Sequence, residues 1–112
     1  MSFEGDLRSA EITKGPERSA HRALLYSTGI GRDEMEKPKI GIVNSWTEMV
    51  PGHLHLRDLA ERVAAGVREA GGIGIECNTI AVCDGLCQGH LGMRYPLPSR
   101  DLIGDSVETV AE

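Results

Sequence analysis

Aromatic side chains are nearly missing: one Trp, two Tyr and one Phe amount to 4% of the 112 residues. Any core must therefore rest on Leu, Ile, Val and Ala, and a chain this short can bury only one pair of layers. No apolar run approaches the ~20 residues that span a bilayer. Basic residues are the minority, with 12 Lys and Arg against 17 Asp and Glu and a formal net charge of −5, which argues against a nucleic-acid-binding surface. Cysteine is scarce as well. Cys77, Cys83 and Cys87 are spaced C-x5-C-x3-C, matching neither the paired C-x2-C of a zinc ribbon nor the common ferredoxin runs. Their odd number, and the lack of an apolar signal segment at the start, lead us to expect reduced thiols in a cytoplasmic protein, packed as small hydrophobes.

What the chain has in excess is glycine: 14 residues, clustered around turns and without a collagen-like period. Residues 1–14 are polar, charged and aperiodic, and read as a flexible or draped arm; residues 15–112 read as one α/β unit. Pro16 opens a helix over Glu17–Thr28, with Gly29 where a left-handed cap would sit. After a charged connector, Lys39–Asn44 is a short β-branched apolar run suited to a buried strand. Leu56, Leu59, Ala60, Val63, Val67 and Ala70 recur at helical spacing before Gly71-Gly72. Ile73–Val82 then reads as a strand covered on both faces, which completes a βαβ unit. The glycine-rich stretch Asp84–Met93 reads as mostly irregular. Pro96 and Pro98 are expected to keep it open until Ser99 caps a last helix with Leu102, Ile103, Val107 and Val110 inward. Two parallel strands do not make a stable α/β domain, so this is an incomplete portion of a larger one, or a piece completed by another chain.

In open α/β sheets ligands collect at the carboxyl ends of the strands. Two segments qualify: Asn44–His53 after the first strand and Cys83-Asp84-Gly85 after the second. Asp84 either caps the turn at Gly85 or offers a carboxylate to a hard cation. His53 and His55 lack the i, i+4 spacing of a zinc pair on a helix and read as capping or surface residues, while His90 sits in the glycine loop. Glu48 and Glu76 read as solvated, and Trp46 as a packing residue. Gly85-x3-Gly89-x2-Gly92 could cradle a phosphate but lacks the Gly-Lys-Ser/Thr of a P-loop, and it carries no basic residue. A small phosphate-binding module and a catalytically silent partner that completes another subunit's sheet are the readings from other functional classes.

Longer motifs narrow the choice. Thr13-Lys-Gly-Pro-Glu-Arg18, Gly41-Ile-Val-Asn-Ser-Trp46, Val50-Pro-Gly-His-Leu-His-Leu-Arg57, Asn78-Thr-Ile-Ala-Val82 with Asp84-Gly85, Gly89-His-Leu-Gly-Met93, Leu97-Pro-Ser-Arg100 and Asp105-Ser-Val-Glu108 follow one another in order. Together they resemble the amino-terminal part of the dihydroxy-acid dehydratases, whose pattern the sugar-acid dehydratases largely share. Full members are several times longer, so the resemblance implies a fragment with an unfinished sheet.

The resemblance implies a hydro-lyase of branched-chain amino acid biosynthesis. It would remove water from small 2,3-dihydroxy-3-methyl acids to give 2-keto acids, using Mg2+ and an iron–sulfur cluster, as a cytoplasmic homodimer when full length. Carried over by position, Asp84 matches the family's Mg2+-binding aspartate. The other Mg2+ ligands, two cluster cysteines and the proton-abstracting serine fall beyond Glu112, so no catalytic residue is expected in this portion. Gly52 stands where many members carry a cluster cysteine, and Cys77, Cys83 and Cys87 do not fall on that position.

Overall fold

The computed structural model describes residues 5–112. In chain order the elements are α1 (Ala10–Thr13), α2 (Ser19–Ser27), β1 (Lys39–Asn44), α3 (Leu56–Glu69), β2 (Ile73–Asn78), α4 (Asp84–Cys87) and α5 (Pro96–Ala111), with 3-10 turns at Pro16–Arg18, Arg32–Glu34, Pro51–His53 and Leu91–Arg94. The two strands pair in parallel, from Lys39 beside Ile73 to Asn44 beside Asn78. With α3 as the crossover, this is the βαβ unit that the sequence pattern implies, and it belongs to the α/β class.

The side of the sheet that carries Ile42 and Gly74 receives α3. Gly74 makes that approach possible: a Cβ there would come within 2.7 Å of Ile42 Cδ1 and 3.0 Å of Ala64 Cα. Ala60 is buried and Ala64 half-buried on the facing stripe of the helix, so small residues on both elements let the backbones close up. The helix ends at Gly71, whose φ of +93° is open to glycine and strained for other residues. Gly72 then donates its N–H to the Val67 carbonyl, and Ile73 donates to the Pro38 carbonyl, which starts the parallel register. Below this point Ile30, Met35 and Ile73 form a small buried cluster with Leu25 against it.

The opposite side of the sheet, with Gly41, Val43, Ile75 and Cys77, floors an open groove between α1 and the end of α5. Val43 is 46% and Ile75 37% exposed, so no layer of the described residues covers them. None of the described side chains is less than 2% exposed. The radius of gyration is 17.6 Å, against ~13 Å for a compact chain of this length. These values describe an interior that is only partly built.

Four sequence expectations change. First, β2 stops at Asn78 instead of running to Val82, because its partner β1 ends at Asn44 and the last rung is Thr79 N–H to Asn44 O at 2.9 Å. Second, α5 begins at Pro96 and not at Ser99. First-turn N–H groups have no intrahelical acceptor, so prolines at the first and third helical positions cost no ladder bond. Ser99 sits inside the turn and donates its hydroxyl to the Pro96 carbonyl at 2.6 Å. Third, the expected inward face of α5 is only half covered: Ile103 and Val107 are half-buried, but Leu102 is 60% and Val110 66% exposed, and the helix leans mainly on the preceding turn Leu91–Arg94. Fourth, the aperiodic amino-terminal stretch contains a helical turn, α1, with Thr13 buried. Arg22 of α2 donates to the carbonyls of Thr13 and Gly15. Residues 1–4 of that stretch lie outside the described residues.

The amides of β1, β2 and α3 should be the slowest to exchange with deuterium in the isolated chain, within a broad, weakly cooperative thermal transition. Gly74→Val, which drives a side chain into Ile42 and Ala64, should abolish that protection, as read by hydrogen-exchange mass spectrometry.

Candidate functional site

The carboxyl end of the sheet is tied together by polar side chains. Asn78 donates its side-chain amide to the Asn44 side-chain oxygen at 3.2 Å and to the Trp46 carbonyl at 3.3 Å. The same Asn44 oxygen accepts the Trp46 N–H at 2.9 Å. These bonds fix the Asn44 amide so that its Nδ2 points inward, where it is buried without an acceptor. One rung of asparagines therefore sets the direction in which the chain leaves both strands.

The loop after β1 is pinned by two further contacts across eight residues. His53 donates Nδ1–H to the Ser45 carbonyl at 2.8 Å, leaving Nε2 bare in the neutral ring, and Trp46 donates its indole N–H to the Leu54 carbonyl at 3.2 Å. The Arg57 guanidinium lies 3.6 Å from the centre of the Trp46 ring, a cation–π contact. Trp46 thus packs, as its sequence context implies, and His53 ties a loop together. His55 takes the first position before α3 without capping it, and stays exposed with Glu48 and Glu76. Gly52, in the turn Pro51–His53, is exposed with open space where a Cβ would be.

Asp84 is not at the strand end itself. Five residues, Thr79–Cys83, separate it from β2, and it opens the single turn α4. Its carboxylate is exposed and makes no hydrogen bond or ion pair among the described residues, so nothing there supports the turn-capping alternative. A carboxylate at the start of a helical turn is favourably placed beside unpaired N–H groups. The glycine loop that follows is not an open anion cradle either. The space over Gly92 holds the His90 ring, whose Cε1 would lie 2.5 Å from a Cβ at that glycine, and Gly92 N–H is donated to His90 Nδ1. His90 takes the cap position at the head of the turn Leu91–Arg94.

Whether these residues fit the cofactors follows from the donor set. Mg2+ takes one or two protein carboxylates and keeps its other positions for water and substrate oxygens, so the free carboxylate of Asp84 fits as one ligand. An iron–sulfur cluster needs several thiolates together. Cys77, Cys83 and Cys87 are free, half-buried thiols, more open than the packed hydrophobes expected, and among the described residues no three His, Cys, Asp or Glu side chains converge on a metal position. This portion of the chain does not fit a cluster by itself.

The sequence that builds this βαβ unit has relatives among known proteins. The amino-terminal model of the dihydroxy-acid/6-phosphogluconate dehydratases matches residues 37–112, and the chain belongs to that family. It is 59% identical over 102 residues to dihydroxy-acid dehydratase 1 of Methanosarcina acetivorans, covering 91% of this chain and 18% of that protein. Over 105 residues it is 55% identical to the dihydroxy-acid dehydratase of Pyrococcus furiosus, and 51% identical to that of Dehalococcoides mccartyi; each match covers 94% of this chain and 19% of the relative. The chain thus spans about one-fifth of the length of the curated relatives it matches. No helix of the described residues is long and apolar enough to cross a membrane.

Trp46 is the sole tryptophan, so its fluorescence reports on this loop alone. Arg57→Ala should shift the emission and raise acrylamide quenching, with a loss of about 0.5–1 kcal/mol in local stability. Arg62→Ala, further along α3, should leave both signals unchanged.

Proposed function

We propose that the protein carrying this segment is a hydro-lyase that converts 2,3-dihydroxy-3-methyl acids to 2-keto acids in branched-chain amino acid biosynthesis. The observation that carries the reading is the 59% identity to a dihydroxy-acid dehydratase across 91% of this chain, through the segment that holds Asp84. In this proposal the enzyme is a cytoplasmic homodimer acting on a small-molecule acid with Mg2+ and an iron–sulfur cluster.

Asp84 supplies one hard oxygen ligand to Mg2+, and the glycine after it lets the chain turn away without a side chain over the ion. When bound, Mg2+ would supply positive charge that lowers the cost of removing an otherwise weakly acidic C2 proton. The asparagine rung and the pinned loop at Ser45–His53 hold the crevice in shape while substrate enters. The cluster's ligands are proposed to lie outside this chain. The same family model is also named for 6-phosphogluconate dehydratase, and sugar-acid dehydration is the second reading. Turnover of a sugar acid with none of the branched acid would replace the first reading by the second.

In a full-length dehydratase carrying this segment, Asp84→Asn keeps the shape of the side chain and removes its charge. We expect a folded protein with unchanged iron content, a weakened Mg2+ dependence and turnover reduced by about 100-fold or more. Wild-type turnover and Mg2+ response would refute the assignment. Residues 1–112 alone should show no turnover, even after iron–sulfur reconstitution.

The cluster assignment has its own test. Joint replacement of Cys83 and Cys87 by Ser, and separately Gly52→Ala, should each leave the iron content of the full-length protein close to wild type by colorimetric assay. Loss of iron in a folded variant would make that position part of the cluster site.

A further inference from the structure

The turn that carries Asp84 has little to hold it. α4 is four residues long, and a helix of that length does not persist on local hydrogen bonds. Its one internal closure is Cys87 N–H to Cys83 O at 3.1 Å. The carbonyls at its end have no helical partner and need another donor. One of them, that of Leu86, accepts Nε2–H from His90 at 2.6 Å.

The other ring nitrogen of His90 is engaged at the same time. Nδ1 accepts the Gly92 N–H at 3.0 Å. A backbone amide can only donate and a carbonyl can only accept, so the two contacts admit one state of the ring: neutral, with the proton on Nε2. The imidazole therefore bridges α4 and the turn Leu91–Arg94. Two glycines make room for it. Gly89, at φ +77°, reverses the chain so that His90 faces a carbonyl four residues earlier, and Gly92 has no side chain to displace the ring. Cys87 Sγ sits on the far side, 3.4 Å from where a Gly92 Cβ would stand.

We propose that His90 is a positioning residue for Asp84: its imidazole braces the single helical turn from which the Mg2+-binding carboxylate projects. The inference rests on the Mg2+ role of Asp84 proposed above. It differs from a simple capping role, which needs only the bond to Gly92. Removing the contact to Leu86 lets α4 fray, and the carboxylate then samples positions that bind the ion poorly. Residues that orient a metal ligand through hydrogen bonds are commonly worth about 10–100-fold in metal affinity.

Asparagine separates the two roles. Its side-chain oxygen accepts an N–H two residues on and is among the best helix-capping groups, yet it is too short to reach the Leu86 carbonyl. In a full-length dehydratase carrying this segment, Mg2+ binding by titration calorimetry should weaken about tenfold in His90→Asn. The Mg2+ concentration for half-maximal rate should rise in parallel, while kcat at saturating Mg2+ stays within about twofold of wild type. Gly92→Ala pushes the ring aside from the opposite direction and should weaken Mg2+ binding in the same way, which keeps the test open if the first variant folds poorly. Wild-type Mg2+ affinity in the folded variants, with Asp84→Asn still impaired, would reduce His90 to a cap and overturn the inference alone. Wild-type affinity in Asp84→Asn itself would remove the Mg2+ reading and this inference with it.

Discussion

α3 lies close against the sheet at Gly74, and the rest of the arrangement follows from that contact. A side chain at that position would collide with Ile42 and with the backbone of Ala64. With hydrogen there, the helix lies flat on the strands, and the short return through Gly71 and Gly72 fixes which residue of β2 begins the pairing. In a sheet a one-residue slip moves every side chain to the other face. The register that starts at Ile73 is therefore what brings Asn44 and Asn78 side by side five residues later, where they tie the strand ends together.

The parts of the fold that were legible in the sequence are those whose causes are local. β1 keeps its expected bounds because Lys39–Asn44 is a β-branched run between a proline and a polar loop. α3 follows its apolar period and ends at the glycines. The parts that were not legible depend on partners. Ile80 and Val82 continue the pattern of β2, but β1 pairs through its sixth and last residue, Asn44, and has none left to receive them. Leu102 and Val110 repeat as an inward stripe on α5 with no described element facing them. Pro96 and Pro98 look like breakers until their place in a first turn is known, since the missing N–H matters only further along a helix.

The candidate site divides in the same way. Spacing alone favours a turn cap over a cation ligand for Asp84; the motifs around it supply the resemblance that reverses this, and among the described residues its carboxylate makes no capping bond. That Asp84 lies five residues beyond β2, on a turn of its own, could not be read from the strand pattern. The bridging role of His90 was equally hidden. Its two partners are backbone groups, and a backbone N–H or carbonyl leaves no trace in residue type.

Each strand of this sheet has one edge without a neighbour among the described residues. Such an edge presents a row of free N–H and carbonyl groups, a template on which any extended segment can add itself. Neither strand contains a proline, one of the devices that usually blunt such an edge. Kept apart from the polypeptide that its relatives carry, this segment should recruit strands from its own copies, so its yield in solution would be governed by concentration more than by temperature.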